Sequence, residues 1–301
     1  MTVGEVIGRT RAGTRTAPSR PRRGRRWSTG RIALFAVLVI TTCFFLFPFF
    51  WVVSTALQST PEQQTLPLTW WPSHLQWHNF SVAWAVAPFT TYLWHTLLIV
   101  VLVTVGSVAS ASFVAFALAR LRFPGREFWF NAVLSTMMLP STVTLIPLYL
   151  IFKDLGWLDT FLPLIVPAFF GGGPFNIFLL RQFILGVPRD MDEAARVDGA
   201  GYLRTYFSII LPAIKPALAV TGWMTALAAW GDLFGPLIFL STSDKWTLAL
   251  SIYQFPTMQP NGWGSQLVMS IALIVMLPVV VGFFFLQRWL IEGVNLSGVS
   301  R

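Results

Sequence analysis

The sequence alternates between long apolar stretches and shorter polar segments. A helix needs about 20 mostly apolar residues to cross a bilayer, because about 30 Å of hydrocarbon is spanned at about 1.5 Å per residue. Six stretches have the required length: residues 33–55, 92–118, 128–150, 161–180, 216–239 and 267–290. Their only charged or imidazole side chains are His95, Asp232 and Arg288. The pattern therefore predicts an all-α polytopic membrane protein with six transmembrane helices.

Composition supports this class and argues against a soluble globule. Hydrophobic residues make up 55% of the 301 positions, charged residues make up 11%, and mean hydropathy is +0.65. Soluble domains carry about 25% charged residues, so this chain has too few to cover a surface in water. Cys43 is the single cysteine, which excludes an intrachain disulfide and a cysteine-based metal cluster.

The basic residues predict the orientation of the spans. Of the 21 Lys and Arg residues, only Lys153 and Lys245 fall on one side of the predicted membrane. Because Lys-rich and Arg-rich loops stay in the cytoplasm, both termini are predicted to be cytoplasmic. The net charge of +9 is thus interpreted as an orientation signal, with lipid rather than nucleic acid as the partner. Residues 1–31 are predicted to form a disordered Arg-rich tail. They are not interpreted as a transit peptide, because Pro and Gly interrupt the amphipathic helix that such a peptide would form.

Proline and glycine interrupt the predicted spans three to six. The positions are Pro140 and Pro147 in the third span, Pro163, Pro167, Pro174 and the glycines 171–173 in the fourth, Gly231, Gly235 and Pro236 in the fifth, and Pro278 in the sixth. Proline removes a backbone donor that lipid does not replace. Two interpretations stay open: packing kinks, or a translocation path between spans three and six. The small residues at 106–112 predict close helix packing.

The sequence contains no pattern of an enzyme. No lysine follows a glycine as in a Walker A loop, HExxH is absent, and the three histidines lack a metal-binding spacing. The acids Asp190, Asp192 and Glu193 lie among Arg residues in a predicted loop. We interpret them as a polar docking surface rather than an acid–base pair.

The segment 187–212, between the fourth and fifth spans, predicts a helix, a turn and a second helix. Pro188 and the acids that follow suit a first helical turn, where a missing donor is harmless and the dipole favours negative charge. Gly199 permits the positive φ of a turn. Residues 202–211 then give a second helix with an apolar face, ended by Pro212.

This segment resembles the EAA motif of ABC importer permeases. Its residues at the family spacing are Glu193, Ala194, Ala195, Gly199, Ile209, Leu211 and Pro212. Segments 119–126 and 230–238, with Gly293, resemble the carbohydrate branch, the maltose-permease-G-like subunits. The resemblance covers roughly residues 30–300, so residues 32–301 are expected to form one domain with the type I ABC importer permease fold.

The resemblance implies a function and a set of partners. The chain is expected to be a transmembrane subunit of an ATP-driven importer in the bacterial cytoplasmic membrane, forming half of the path for a sugar. Its expected partners are a second homologous permease subunit, two ATP-binding subunits and an extracytoplasmic solute-binding protein. No cofactor is expected on this chain, because the ATP-binding subunits use the ATP. The residues implied in coupling to the ATPase are Glu193, Ala194, Ala195, Asp198, Gly199, Ile209, Leu211 and Pro212, with 293–301 as a further expected contact.

Expectations for the solute are less specific. The candidate residues of the substrate path are Thr136, Phe175, Asn176 and Asp232, although a structural role for Asp232 is the competing interpretation. The sequence departs from the family pattern at His95, where Asn is common, and at Gly231, where Trp-Asn-Asp is usual. Both lie towards the outer half of their spans, so they bear on substrate identity rather than on coupling.

Two alternatives stay open. The same machine could import glycerol phosphate or another polyol phosphate, although no Lys or Arg lies mid-span to bind an anion. A stand-alone secondary transporter would need buried charged groups for ion coupling, which these spans nearly lack. The outer segment 61–84, which contains Trp70, Trp71 and Trp77, is expected either to touch the binding protein or to lie at the membrane interface.

Overall fold

A computed structural model describes residues 29–64, 69–255 and 264–298. These residues are mainly helical, and no β-strand occurs among them. The α-helices are α1 Thr29–Ala56, α2 Thr60–Gln64, α3 His78–Ala85, α4 Phe89–Arg120, α5 Arg126–Thr136, α6 Ser141–Asp154, α7 Leu162–Ile165, α8 Pro174–Gly186, α9 Asp190–Val197, α10 Tyr202–Thr205, α11 Leu211–Ala213, α12 Lys215–Trp230, α13 Phe234–Phe239, α14 Leu248–Gln254 and α15 Ser265–Gly298. Most of the predicted tail 1–31 and the side chains of 288–301, including Arg288, lie outside the described residues.

The chain divides into two compact units, residues 1–49 and 50–301. In the first unit, the described part of α1 exposes apolar side chains such as Leu34, Ile40 and Phe44. A helix that is apolar all round is stable where lipid or protein surrounds it. This part of α1 therefore has the surface that the predicted first span requires.

Four helical segments are long and apolar enough to cross a membrane: Ala33–Ala56, Phe89–Arg120, Leu162–Gly186 and Ser265–Gln287. They confirm the apolar helical segments predicted as spans one, two, four and six. A bent pair, Tyr202–Ala213 with Lys215–Trp230, gives a possible fifth crossing, and its two parts meet at 78°. The third predicted span is divided into α5 and α6, and the fifth into α12 and α13. The predicted total of six crossings therefore stays a prediction.

The interruptions follow some of the predicted breaking residues but not all of them. Helices end or begin at Pro140, at the glycines 171–173 and at residues 231–233. Pro147 and Pro278, in contrast, lie inside the continuous helices α6 and α15. A single proline removes one donor and leaves the remaining ladder in place, whereas consecutive glycines also lose the conformational bias toward a helix.

In the second unit, α4 packs against α8 and α12 through small residues. Ala111, Ala115 and Ala119 are fully buried on one face of α4. Gly172 has a φ of +64°, and a Cβ there would overlap the carbonyl group of Ser107 and lie 2.9 Å from the Cβ of Ala111. The predicted close packing at 106–112 is thus confirmed, because the backbones of α4 and Gly172 lie too close together to leave room for a Cβ at position 172.

Candidate functional site

The first helix of the segment 187–212 is α9, and its end is fixed by Gly199. Gly199 has a φ of +78°. Its N–H donates to the Arg196 carbonyl over 3.0 Å, and the Ala200 N–H donates to the Ala195 carbonyl over 2.8 Å. These two bonds form a Schellman motif, which a glycine at this position favours. The predicted helix and turn are therefore confirmed, and the positive φ explains why a glycine suits position 199.

We expect Gly199→Ala to lower the stability of this turn by about 1 kcal/mol, because an L-residue is strained at positive φ. No heavy atom lies within 4 Å of the added Cβ, so a clash contributes nothing. Hydrogen exchange of peptides that cover Gly199 and Ala200 measures the effect. Gly186→Ala, at the end of α8 and also without a clash, is the control, and faster exchange in both variants would contradict the conformational explanation.

The two faces of α9 have different surroundings. Asp192 and Ala195, three residues apart and therefore on one face, are buried against the rest of the chain. Glu193, Ala194, Asp198 and Gly199 are exposed. The interpretation of all three acids as a docking surface was thus wrong for Asp192, whose carboxylate is turned inward by a cationic partner.

That partner is Arg120 at the end of α4. Its Nε lies 3.0 Å from Oδ2 of Asp192, and the two side chains are only 5% and 12% exposed. Arg120 also donates from Nη2 to the Val187 carbonyl over 2.6 Å. The pair joins α4 to α9, and sequence reasoning missed it because the partners are far apart in the chain.

The second half of the segment is a less regular helix. Residues Tyr206–Ile210 form a π-helical turn between α10 and α11. Tyr206 and Ile210 are buried, whereas Leu203 and Phe207 are exposed, so the predicted apolar face is split. The wider π turn rotates successive side chains away from the spacing of an α-helix. Tyr206 also shares a hydrogen bond of 2.7 Å with Ser112 on α4.

The remaining motif residues lie in the π-helical turn, which contains Ile209, and in α11, which contains Leu211 and Pro212. Ile209 and Leu211 are half-buried and Pro212 is exposed. Leu211 packs against the buried cluster that contains Ala119, Ile184 and Ile210. Leu211 thus attaches the end of the segment to the core of the second unit.

A cavity of about 380 Å³ lies among α4, α7, α12 and α13. Its polar lining consists of Thr96, Thr225, Asp232 and Thr247. Asn176 donates to Oγ1 of Thr225 over 3.1 Å and to the Gly172 carbonyl over 2.8 Å. Two of the four predicted path residues are therefore connected to one cavity, Asp232 directly and Asn176 through Thr225.

The other two predicted path residues lie elsewhere. Thr136 is exposed at the end of α5, and its hydroxyl donates to the Val133 carbonyl over 2.6 Å. Phe175 is exposed at the start of α8 and does not line this cavity. Sequence reasoning missed Thr96, Thr225 and Thr247, because a threonine in an apolar helix commonly bonds its own backbone and gives no separate signal.

His95, one of the two departures from the family pattern, contacts residues of other segments. His95 Nδ1 lies 3.2 Å from the Trp246 carbonyl, and since that oxygen only accepts, Nδ1 donates. The His95 ring lies 4.9 Å from the ring of Phe161. Asp232, the residue after Gly231, accepts from the Gly235 N–H over 3.1 Å and also lines the cavity.

Hydrogen bonds of Glu62 connect Ser59 to Ser73, on either side of Trp70 and Trp71 in the chain, and we call this group the polar clamp. The Glu62 carboxylate accepts from the Ser59 and Ser73 N–H groups, each over 2.9 Å, and from both serine hydroxyls. These hydrogen bonds, led by the Ser73 hydroxyl, lower the pKa of Glu62 from 4.5 to about 2. Trp70 and Trp71, which lie between Glu62 and Ser73 in the chain, are more than half exposed.

The lowered pKa of Glu62 predicts a pH dependence. The clamp stabilises the fold fully above pH 4.5 and loses its contribution as pH falls from 4.5 towards 2. We expect slower hydrogen exchange around Ser59 and Ser73 in wild type than in Glu62→Gln near neutral pH. The difference should vanish towards pH 2, and a difference that persists unchanged at that pH would contradict the assignment.

Known proteins are similar in sequence to this chain over most of its length. The family model described as "Binding-protein-dependent transport system inner membrane component" matches residues 107–295. The diacetylchitobiose uptake system permease protein DasC of Streptomyces coelicolor is 30% identical over 278 residues, 92% of this chain and 98% of the relative. The sn-glycerol-3-phosphate transport system permease protein UgpE of Yersinia enterocolitica is 28% identical over 85% of this chain and 93% of its own length.

A solved structure shows the same fold. One chain of a bacterial ABC transporter involved in importing the acidic polysaccharide alginate superposes with a TM-score of 0.77 at 22% identity, over 89% of this chain and 99% of that one. The match to the family model includes both the α9 turn and the cavity-lining part of α12. The chain therefore belongs to the binding-protein-dependent transport system inner membrane components, the multi-pass permease subunits of ABC importers, and is a transport component rather than an enzyme.

Proposed function

We propose that this permease assembles with a second, homologous permease subunit and two ATP-binding subunits, and that the assembly imports a sugar delivered by an extracytoplasmic binding protein. The exposed face of α9 carries this proposal. It presents Glu193, Ala194, Asp198 and Gly199 outward, while the opposite face is fixed to the permease by Asp192 and Ala195. The exposed face is the ATPase contact, and Ala195, which is 7% exposed, seats the helix on its own chain.

Such a helix transmits motion because it is firmly attached. When the ATP-binding subunits close on ATP, they displace α9, and the Arg120–Asp192 pair passes the displacement to α4. The permease then shifts its population between inward-open and outward-open states. This requires the segment 187–212 to lie in the cytoplasm, which agrees with the Lys and Arg distribution.

The cavity favours a neutral, hydroxyl-rich solute. Three threonines and one aspartate line it, and none of its lining residues is Lys or Arg. Sugars offer donors and acceptors to such groups, whereas a phosphate calls for cationic partners. Relatives exist for both solute types, and the lining of this cavity supports the sugar over glycerol phosphate. The exposed Trp70 and Trp71 form the surface that meets the binding protein.

A pull-down from detergent-solubilised membranes tests the docking surface. Wild type is expected to co-purify with an ATP-binding subunit, and Glu193→Lys combined with Gly199→Asp is expected to lose it. The control is Asp154→Lys, an exposed acid at the other end of the membrane path, which should retain the subunit. Retention of the ATP-binding subunit by the double variant would overturn the assignment of α9.

Uptake by the purified assembly in proteoliposomes separates the two solute classes. We expect ATP-dependent uptake of an oligosaccharide and none of glycerol 3-phosphate. Uptake of glycerol 3-phosphate alone would overturn the sugar proposal while leaving the docking surface intact.

A further inference from the structure

Five arginines surround two adjoining cavities between the end of α4, the start of α5 and α9. The larger cavity, of about 530 Å³, is lined by Arg120, Arg122, Arg126, Arg189 and one acid, Glu127, among others. The smaller, of about 340 Å³, shares Arg120, Arg122 and Arg189, and adds Arg196 with Asp192 and Glu193. We call the larger cavity the Arg pocket. The transport mechanism proposed above does not use it.

Among the described residues, two of the four guanidinium groups that line the Arg pocket have no ion-pair partner. Arg120 is paired with Asp192, and Arg126 contacts Glu127 over 2.8 Å. In the described part of the chain, no acidic side chain lies within ion-pair distance of Arg122 or Arg189. Both residues are exposed, and both line the same cavity, Arg122 from the loop after α4 and Arg189 from the residue before α9. Two guanidinium groups that line one cavity offer donors for the oxygens of a phosphate group.

Aromatic side chains border the Arg pocket. Phe123 and Phe128 line it and are 37% and 68% exposed, and the neighbouring Trp129 is 58% exposed. They lie within ten residues of the end of α4, a helix long and apolar enough to span a membrane, and we infer that they are close to the membrane surface. Aromatic rings are favoured at this level, and basic pockets beside membrane helices bind anionic headgroups.

We propose that the Arg pocket binds the phosphate headgroup of an anionic phospholipid, with the acyl chains lying over Phe128 and Trp129. Arg122 and Arg189 contact the phosphate, and the bound lipid bridges the α4–α5 loop to the start of α9. An acidic segment of a protein partner would match the charges but would gain little from apolar rings at the membrane surface, so the lipid is the better fit.

Binding to the full-length permease in a neutral detergent tests the proposal. The probes are dioctanoyl phosphatidylglycerol, dioctanoyl phosphatidylcholine and inorganic phosphate, scored by native mass spectrometry and thermophoresis. Wild type is expected to bind phosphatidylglycerol at least about tenfold more tightly than Arg122→Ser with Arg189→Ser. Because both arginines are exposed and lack an acidic partner, the variant should keep the elution profile and unfolding midpoint of wild type.

The matched control is Arg204→Ser with Lys215→Ser, which removes two exposed charges in the same region but outside the pocket. It should bind phosphatidylglycerol as wild type does. If both double variants bind phosphatidylglycerol equally weakly, the loss depends only on net charge, and the proposal is overturned. Equal affinity for phosphatidylcholine or for inorganic phosphate would also overturn it. If the pocket variant binds lipid normally but co-purifies with less ATP-binding subunit, the pocket is instead a protein contact.

Discussion

Gly172→Ala is expected to destabilise the permease by about 2–5 kcal/mol. An added Cβ would overlap the Ser107 carbonyl and lie 2.9 Å from Ala111, and both neighbours belong to the buried face of α4. Overfilling a packed core costs about 1–3 kcal/mol. The φ of +64° adds about 1–2 kcal/mol for any L-residue. The midpoint of thermal unfolding in detergent, followed by intrinsic fluorescence, measures the loss.

Gly156→Ala separates strain from steric overlap. Gly156 has a φ of +69°, close to that of Gly172, but no atom lies within 4 Å of its added Cβ. It should therefore lose only the conformational part, about 1–2 kcal/mol. Equal losses in the two variants would show that the close approach of Gly172 to α4 contributes nothing.

Breaking the ion pair between α4 and α9 is the second change with a large expected effect. Asp192→Leu leaves the guanidinium of Arg120 buried without a carboxylate, which costs about 3–5 kcal/mol. Arg120→Met should cost a similar amount, because it isolates the carboxylate and also leaves the Val187 carbonyl without its donor. The double variant should recover much of the stability, since two apolar side chains of similar volume can replace a buried pair.

Thermal unfolding and ATP-driven uptake should respond differently to these variants. The double variant should be folded yet transport poorly, because α9 then lacks its polar attachment to α4. Arg126→Met is the control: its partner Glu127 is 60% exposed, so its loss should cost no more than about 1 kcal/mol. Normal uptake by a stable double variant would show that coupling does not pass through this pair.

The sequence predicts the local features of this fold better than its long-range contacts. Apolar length located α1, α4 and α15, because a spanning helix depends on a continuous stretch of residues. The turn after α9 was also predictable, since Gly199 and the residues before it form a self-contained motif. The family model matches residues 107–295, which include this turn, and membership of that family removes the alternative of a stand-alone secondary transporter.

The features that the sequence did not predict depend on contacts between distant segments. The pattern around Asp192 is that of a solvated acid, and only the end of α4 turns it inward. Likewise, Thr96 and Thr225 come together because α4 packs on α12, which hydropathy does not encode. Thr136 and Phe175 were selected for residue type and span, and neither property says which way a side chain faces.

The single long helix α4 has a mechanical consequence. Arg120, attached to α9, and Thr96, on the cavity wall, are both part of it. Their separation of 24 residues in sequence corresponds to about 36 Å of helix at about 1.5 Å per residue. If α4 moves as a stiff rod, a tilt of about 5° about one end displaces the other by about 3 Å. A small rotation at the ATPase side is thus sufficient to change the width of a solute-sized opening, without any helix having to unwind.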